Sequence, residues 1–289
     1  MLPGMAGKAR IAIVGAGNLG SALAVALRRA GYGIDAIVAH SRRSQARART
    51  LGKQVRARVT ASLVGSQADI AWICVPDASV GAAAETLAAQ REWRGRVALH
   101  SSGALTSDAL SVLRARGAAV ASVHPLMTFV RGSRRSLVGV PFAVEGDAAA
   151  VRVARRIVRE LGGKTYAMRK SEKAAYHAWG TFASPLLIAL LATTEQVAAA
   201  AGVRGKEARG RMAPILRQTI ENYVAFGARR GFSGPIIRGD VETVKKHLRV
   251  LREQPAARDV YLALVRAALE FLPAKNTAAL RRALRSSGR

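Results

Sequence analysis

Residues 11–20 read Ile-Ala-Ile-Val-Gly-Ala-Gly-Asn-Leu-Gly, three glycines spaced G-x-G-x-x-G. A β-branched run, Arg10–Val14, leads directly into them, and an alanine- and leucine-rich helical stretch, Asn18–Ala30, follows. Few folds accommodate such a segment. Gly15 allows a tight turn out of the strand, Gly17 lets the backbone approach a pyrophosphate, and Gly20 lets the helix pack closely on the strand. The backbone N–H groups and dipole at the helix start then face the phosphates. The motif is weak in isolation, but here strand, helix and second strand fall in the expected order. The spacing therefore predicts a dinucleotide cradle at Gly15, Gly17, Asn18, Leu19 and Gly20. A glycine turn with no ligand is the bland alternative.

The alternation continues. Strands are expected at Ile34–Ala39, Ile70–Val75, Val97–His100, Ala119–Val123 and Leu137–Val144. Helices are expected at Ser44–Leu51, Ser79–Ala89, Thr106–Arg116 and Asp147–Leu161, the last closed by Gly162-Gly163. Short strands alternating with helical stretches predict a mostly parallel sheet covered by helices. After Tyr166 the strand signal stops, and helices are expected at Lys170–Ala201, Lys206–Arg229, Val241–Glu253, Ala256–Phe271 and Thr277–Leu284. A chain of 289 residues accommodates two ordinary domains. The expectation is an α/β domain over 1–166 and an all-α domain over 167–289.

The end of the second strand bears on which dinucleotide is taken. An NAD site carries Asp or Glu there for the ribose hydroxyls. This chain has Ser41, Arg42 and Arg43, and no acidic residue from Ala36 to Gln67. A hydroxyl and two guanidinium groups suit a 2′-phosphate, so NADP(H) is the expected cofactor. Val75 and Pro76 follow the next strand, at the sheet edge where the cofactor lies. Asp77 is expected to cap the following helix. Cys74, the single cysteine, reads as a small buried hydrophobe, and no intramolecular disulfide is possible.

The formal charge is +28, yet arginines are spread from Arg10 to Arg289 and aromatics make up only 5% of residues. Stacking on single strands needs interleaved aromatics. Specific nucleic-acid binding is not expected. From Ala174 to Thr194 there is no Lys, Arg, Asp or Glu, long enough to span a bilayer. Tyr176, His177, Thr181, Ser184, Pro185, Thr193 and Thr194 interrupt it, so a buried core or dimer-interface helix is expected in its place. The N-terminus has no apolar run suited to a signal peptide, which makes the cytoplasm the default. The histidines, His40, His100, His124, His177 and His247, have no metal-ligand spacing, and no metal is expected.

Several segments together resemble a known family: His100-Ser101-Ser102-Gly103-Ala104, Ser122-Val123-His124-Pro125-Leu126, Pro141–Asp147, Tyr176-His177 and Gly234-Pro235-Ile236-Ile237-Arg238-Gly239-Asp240. The chain is similar to bacterial proteins that join a Rossmann-like domain to a "domain of unknown function 2520". That resemblance spans nearly the whole chain and implies an NADP-dependent oxidoreductase. By fold it implies kinship with β-hydroxyacid dehydrogenases, ketopantoate reductases and pyrroline-5-carboxylate reductases, with a helical domain like the C-terminal one of 6-phosphogluconate dehydrogenase. In such relatives the C-terminal helices make a homodimer. Where many members carry Ser-Asn in the first long helix, this chain has Ser184-Pro185.

A hydride acceptor needs a proton for the developing oxyanion or amine, and cationic or N–H donors for its acid group. Lys173 and His177 stand at i and i+4, hence on one helix face. By resemblance to hydroxyacid and ketopantoate reductases, Lys173 is the leading proton donor with His177 its partner, or the reverse. His124, at a strand end, is a second general-acid candidate. Ser101 and Ser102, ahead of Gly103, are candidates to hold a substrate carboxylate, with a plain helix-leading turn as the alternative. Arg238 is a candidate carboxylate clamp oriented by Asp240, with an internal ion pair as the alternative. The leading expectation is an NADPH-dependent reductase of a small carboxylate-bearing carbonyl compound, a 2-keto acid like ketopantoate. The alternatives are a cyclic-imine reductase and a non-catalytic NADP(H) sensor or interaction protein.

Overall fold

A computed structural model describes residues 8–39, 41–131 and 136–286, and of Arg42, Arg43 and Ser286 the backbone alone. Strand β1 (Arg10–Val14) runs into helix α1 (Asn18–Arg29), followed by β2 (Gly33–Val38), α2 (Arg42–Val55), β3 (Arg58–Thr60) and β4 (Ile70–Ile73). Next come α3 (Val80–Gln90), β5 (Val97–His100), the short α4 (Ser111–Ala115), β6 (Ala119–Pro125), β7 (Pro141–Gly146), α5 (Ala148–Glu160) and β8 (Lys164–Ala167). The eight strands form one sheet in the order β3-β2-β1-β4-β5-β6-β7-β8. Strands β1 to β6 pair in parallel, β7 runs antiparallel to β6, and β8 is parallel to β7. The strand order reverses between β1 and β4, and in open α/β sheets ligands bind outside the strand carboxyl ends at such a point.

Each sheet face carries its own apolar core, as expected of strands buried on both sides. One joins Ile11, Ile13, Leu23, Leu27, Trp72 and Ile157, with α1 and α5 packed on it. The other joins Val14, Ile73, Val80, Leu87, Trp93 and Leu113. Two strands were not expected: β3 has three residues and β8 four, both beginning with a cation, too short to give a periodic signal. The strand expected from Leu137 begins only at Pro141, after a turn with Gly139 at φ 76°.

By internal contacts the chain divides into two compact units, the first ending at Thr181 and the second starting at Phe182. The boundary expected near residue 167 thus moves beyond the start of α6 (Lys173–Ala183), because Lys173 and Tyr176 are buried in the first unit. The single long helix expected from Lys170 is broken. Ser184 sits at φ −130°, ψ −80°, before α7 (Pro185–Ala200). Proline disfavours a helical conformation in the residue before it and cannot donate to the preceding turn.

The second unit contains α7, α8 (Gly205–Gly231), α9 (Pro235–Arg238), α10 (Val241–Val250), α11 (Pro255–Phe271) and α12 (Thr277–Ser286). Gly227, at φ 74°, kinks α8. Val244, Leu248, Leu262, Val265, Leu269, Leu280 and Leu284 form its core. Of the two readings of the uncharged stretch, a buried core helix or a dimer-interface helix, the single chain excludes the first. The stretch Lys170–Ala200 is long and apolar enough to cross a membrane, and none of its apolar window is buried. Trp179, Phe182, Leu186 and Ile188 are exposed. Lys173 and Tyr176 nevertheless tie the start of this stretch to the first unit, and Ser184 interrupts it, neither of which suits a spanning helix.

Candidate functional site: a glycine cradle and a polar cluster at one sheet edge

The glycine turn is held between neighbouring strands, Gly15 N donating to Val38 O at 2.9 Å and Cys74 N to Val14 O at 2.7 Å. The three glycines differ in what they spare. Gly15 has φ 106°, and a Cβ on it would stand 2.7 Å from Cys74 O. A Cβ on Gly20 would stand 2.0 Å from Gly15 O and 3.1 Å from Cys74 Cβ, so helix and strand meet only because it is absent. At Gly17 the nearest atom is Cys74 O at 4.0 Å. The protein's own packing does not require glycine there, which leaves the approach to the start of α1 open. Asn18 spends its side chain on Phe129 O at 2.9 Å, and Leu19 packs on the core. Both would offer a phosphate their backbone N–H groups.

From this turn a cleft of about 590 Å³ opens, lined among others by Gly17, Ser41, Ser44, Arg47, Val75 and Pro76. Ser41 caps α2, accepting from Ser44 N at 3.1 Å. The side chains of Arg42 and Arg43 lie outside the described residues. Arg47 went unnoticed in the sequence. It stands one helical turn after Arg43, a spacing readable only once α2 is known to begin at Arg42. A nucleotide phosphate and ribose fit this lining of glycine backbone, hydroxyls and a guanidinium. Asp77 does not cap as expected: it starts a short 3-10 turn with no side-chain capping bond. Burial pushes the Cys74 thiol up to about 12, in keeping with an inert side chain.

Further along the same edge, β5 and β6 end in a polar cluster. His100 is fully buried. Its Nδ1 accepts from Ser102 N at 3.1 Å and its Nε2 lies 3.0 Å from Thr106 O, a pair of contacts that fits a neutral ring donating from Nε2. Burial, with the Lys173 charge adding, pushes it down to about 4. Ser101 Oγ accepts from Trp72 Nε1 at 2.8 Å, while Ser102 Oγ accepts from Ala104 N at 3.2 Å and Leu105 N at 2.9 Å. Ser101 Oγ is thus engaged by Trp72 of β4 and Ser102 Oγ by its own turn, both as acceptors. Glu145 of β7 anchors the next turn, accepting from Ser107 N at 2.6 Å and Ser107 Oγ at 2.8 Å.

Lys173 reaches into this cluster from α6. It is only 2% exposed, and its Nζ donates to Ser122 Oγ at 2.5 Å and to Ser102 O at 3.1 Å. Burial pushes its ammonium down to about 8, against the pull of Glu145 and Asp77. Three residues on, Tyr176 Oη lies 2.6 Å from His124 Nδ1, their rings edge to face. His177 is exposed, but its ring closes on the same spot: a Cβ on Gly103 would stand 2.7 Å from His177 Cδ2 and 2.9 Å from His124 Nε2. Thus Lys173, His177 and His124, chosen from sequence, share one locale. Ser122, Tyr176, His100 and Gly103 complete it and were not chosen. The His-Ser-Ser-Gly and Ser-Val-His segments contained three of them, but an alternating strand does not show which side chains meet.

Arg238 and Asp240 belong to the second unit, where Arg238 Nε donates to Asp240 Oδ2 at 2.8 Å at an exposed position. Asp240 makes no side-chain cap to α10. Gly239 is glycine for an internal reason, since a Cβ there would stand 2.6 Å from Lys275 O. The internal ion pair is what the structure shows of this segment. His247 pairs with Tyr261 Oη at 3.0 Å. Among the described residues no cluster of three or more potential ligands for a metal occurs.

Residues 5–125 match the Rossmann-like domain family, and residues 140–268 match domain of unknown function DUF2520. The chain is a Rossmann-like protein with a DUF2520 domain. BF3122 from Bacteroides fragilis, a candidate NADP oxidoreductase, superposes on this Rossmann-like/DUF2520 chain with TM-score 0.76 at 22% identity, covering 90% of this chain and 97% of that one. A reductive aminase from Aspergillus terreus, in complex with NADPH and ethyl levulinate, superposes with TM-score 0.66 at 18% identity, covering 96% and 99%. An imine reductase from Myxococcus stipitatus, in complex with NADP+, gives TM-score 0.65 at 16% identity, covering 95% and 99%. At such identities the likeness is one of fold. No curated protein matches the sequence.

Proposed function

We propose that this Rossmann-like/DUF2520 chain is an NADPH-dependent reductase of a small carbonyl compound bearing a carboxylate, a 2-keto acid being the leading class. The observation that carries the reading is the joint placement on one sheet edge of the glycine cradle, the hydroxyl- and arginine-lined cleft, and the Lys173/His124/His177 cluster. The solved relatives named with NADPH or NADP+ support the cofactor, and the absence of an acid between Ala36 and Gln67 favours its phosphorylated form.

When bound, NADPH supplies the hydride. The chain's own residues do the rest. Gly17 and the start of α1 receive the pyrophosphate, while Ser41, Ser44 and Arg47 receive the phosphate on the ribose. Lys173, with its ammonium near 8, gives and regains a proton at working pH, and its hydrogen bonds to Ser122 and Ser102 hold it beside the turn that carries Gly103. His177 completes the proton path from solvent. Trp179, Phe182, Leu186 and Ile188 are apolar and exposed, in keeping with a homodimer through the C-terminal helices.

The deciding experiment is a paired fluorescence titration with NADPH and NADH at moderate salt, on the intact chain and on Arg47→Ser. A charge-assisted contact is worth about 1.5–3 kcal/mol, or roughly tenfold or more in affinity. NADPH should bind more tightly than NADH, and Arg47→Ser should narrow the gap by that factor. Equal, weak binding of both that disappears with salt refutes the reading. Steady-state rates with 2-keto acids against pyrroline carboxylate then separate carbonyl from imine reduction.

A further inference from the structure

His124 has its two ring nitrogens in contrasting settings. Nδ1 faces Tyr176 Oη at 2.6 Å, and Nε2 stands over Gly103 with no hydrogen-bond partner among the described residues. The Tyr176 side chain is buried, and a buried hydroxyl hydrogen without an acceptor is costly. At 2.6 Å His124 Nδ1 is the near acceptor for Tyr176, while the neighbouring Tyr166 hydroxyl, which adds to the upward push on Tyr176, makes no hydrogen bond of normal geometry. Burial raises the ionisation of Tyr176, so it remains a donor. Burial also pushes His124 down to about 4, with the Lys173 charge, His177 and His100 adding and Asp77 opposing. A neutral imidazole carries one proton, and with Nδ1 accepting, that proton is on Nε2.

We infer that His124 is the catalytic residue donating an Nε2–H hydrogen bond to the oxygen of a substrate carbonyl, that Tyr176 is the positioning residue holding this tautomer, and that the site accordingly takes ketones and keto acids and rejects iminium cations. The assignment rests on the reductase reading above. A carbonyl oxygen presents lone pairs to an N–H donor. An iminium nitrogen has no free lone pair and brings positive charge to a ring already under the influence of the Lys173 ammonium. As the carbonyl carbon is reduced, its π pair moves onto oxygen, and the Nε2–H bond strengthens with the growing charge. The proton stays on Nε2, because its loss would leave an imidazolate. The proton that completes the alcohol comes from Lys173 or His177. Gly103 keeps the space above Nε2 open: a Cβ there would occupy the position of the acceptor and press on both rings.

The test uses the full chain with 15N-labelled histidine and NADP+ present, comparing wild type with Tyr176→Phe between pH 5.5 and 8. Wild type should show one His124 tautomer, protonated on Nε2 and unchanged across that range, and Tyr176→Phe should show a mixture. Oxamate, a neutral-nitrogen isostere of a keto acid, should bind, and pyrrolidine, a cation at these pH values, should not. Tyr176→Phe should weaken oxamate about tenfold, the loss of one neutral hydrogen bond, while leaving NADPH affinity within about twofold. A wild-type proton on Nδ1, or pyrrolidine binding as tightly as oxamate, overturns the inference. An Nε2–H tautomer in a chain that does not bind NADPH overturns the reductase reading instead, and the carbonyl assignment falls with it.

Discussion

Replacing Lys173 by methionine should yield a protein that folds at least as well as wild type at neutral pH and reduces nothing. Burial lowers the Lys173 ammonium from 10.5 to about 8. At about 1.4 kcal/mol per pH unit, this difference is worth at most about 3 kcal/mol of folding stability, less where water reaches the group. The sign follows from proton counts. Between pH 8 and 10.5 the unfolded chain holds the proton more firmly than the folded one, so wild-type stability rises with pH across that window. Below pH 8 the full penalty applies. Methionine matches the length of the lysine stem and carries no charge. Its cost is the loss of two hydrogen bonds, from Nζ to Ser122 Oγ and Ser102 O. Ser122 Oγ keeps its own contact with Ser102 O at 3.4 Å, so the orphaned acceptors cost about 1 kcal/mol. The variant should therefore equal wild type or exceed it by up to about 2 kcal/mol at pH 7, and fall about 1 kcal/mol below it above pH 10.5. The three tryptophans, Trp72, Trp93 and Trp179, all lie in the first unit, so urea unfolding followed by tryptophan fluorescence reports on the unit that contains Lys173. Two stability curves that stay parallel from pH 7 to 10.5 would refute the reasoning, since they would mean that Lys173 titrates alike in both states.

Two further outcomes are expected. Gly20→Ala, with a Cβ 2.0 Å from Gly15 O, should destabilise the first unit by several kcal/mol, whereas Gly17→Ala should stay within about 1 kcal/mol in urea unfolding yet weaken NADPH at least tenfold in a fluorescence titration. Below pH 6.5 the first unit should lose stability down to pH 4, because burial lowers both His100 and His124 from 6.5 to about 4, each contributing up to about 3 kcal/mol above that window. His100→Asn should flatten part of this loss in acid unfolding curves.

The glycine spacing, the alternation of strands and helices and the missing acid after β2 are local signals, and each was legible. Steric limits at a turn and the period of apolar residues act between near neighbours, so a linear text records them. Lys173, His177 and His124 were also legible as chemistry, but not as a constellation. Lys173 meets Ser102 across 71 residues of chain, and His124 meets Tyr176 across 52. Which serine caps a turn and which one holds an ammonium depends on those distant partners. The Gly-Pro-Ile-Ile-Arg-Gly-Asp segment is a further case: its glycine spares the backbone of Lys275, which no spacing rule relates to it.

By itself, the sequence determined the class of fold, the phosphate cradle and the residue types able to move a proton, because propensity, periodicity and turn sterics are written in neighbouring residues. Only the tertiary structure decided that Lys173 is buried and poised near 8, that His124 offers Nε2 over Gly103, and that α6 belongs to the first unit up to Thr181. Burial, tautomer and desolvation are properties of a three-dimensional surrounding, and they exist only once strands far apart in the chain lie side by side.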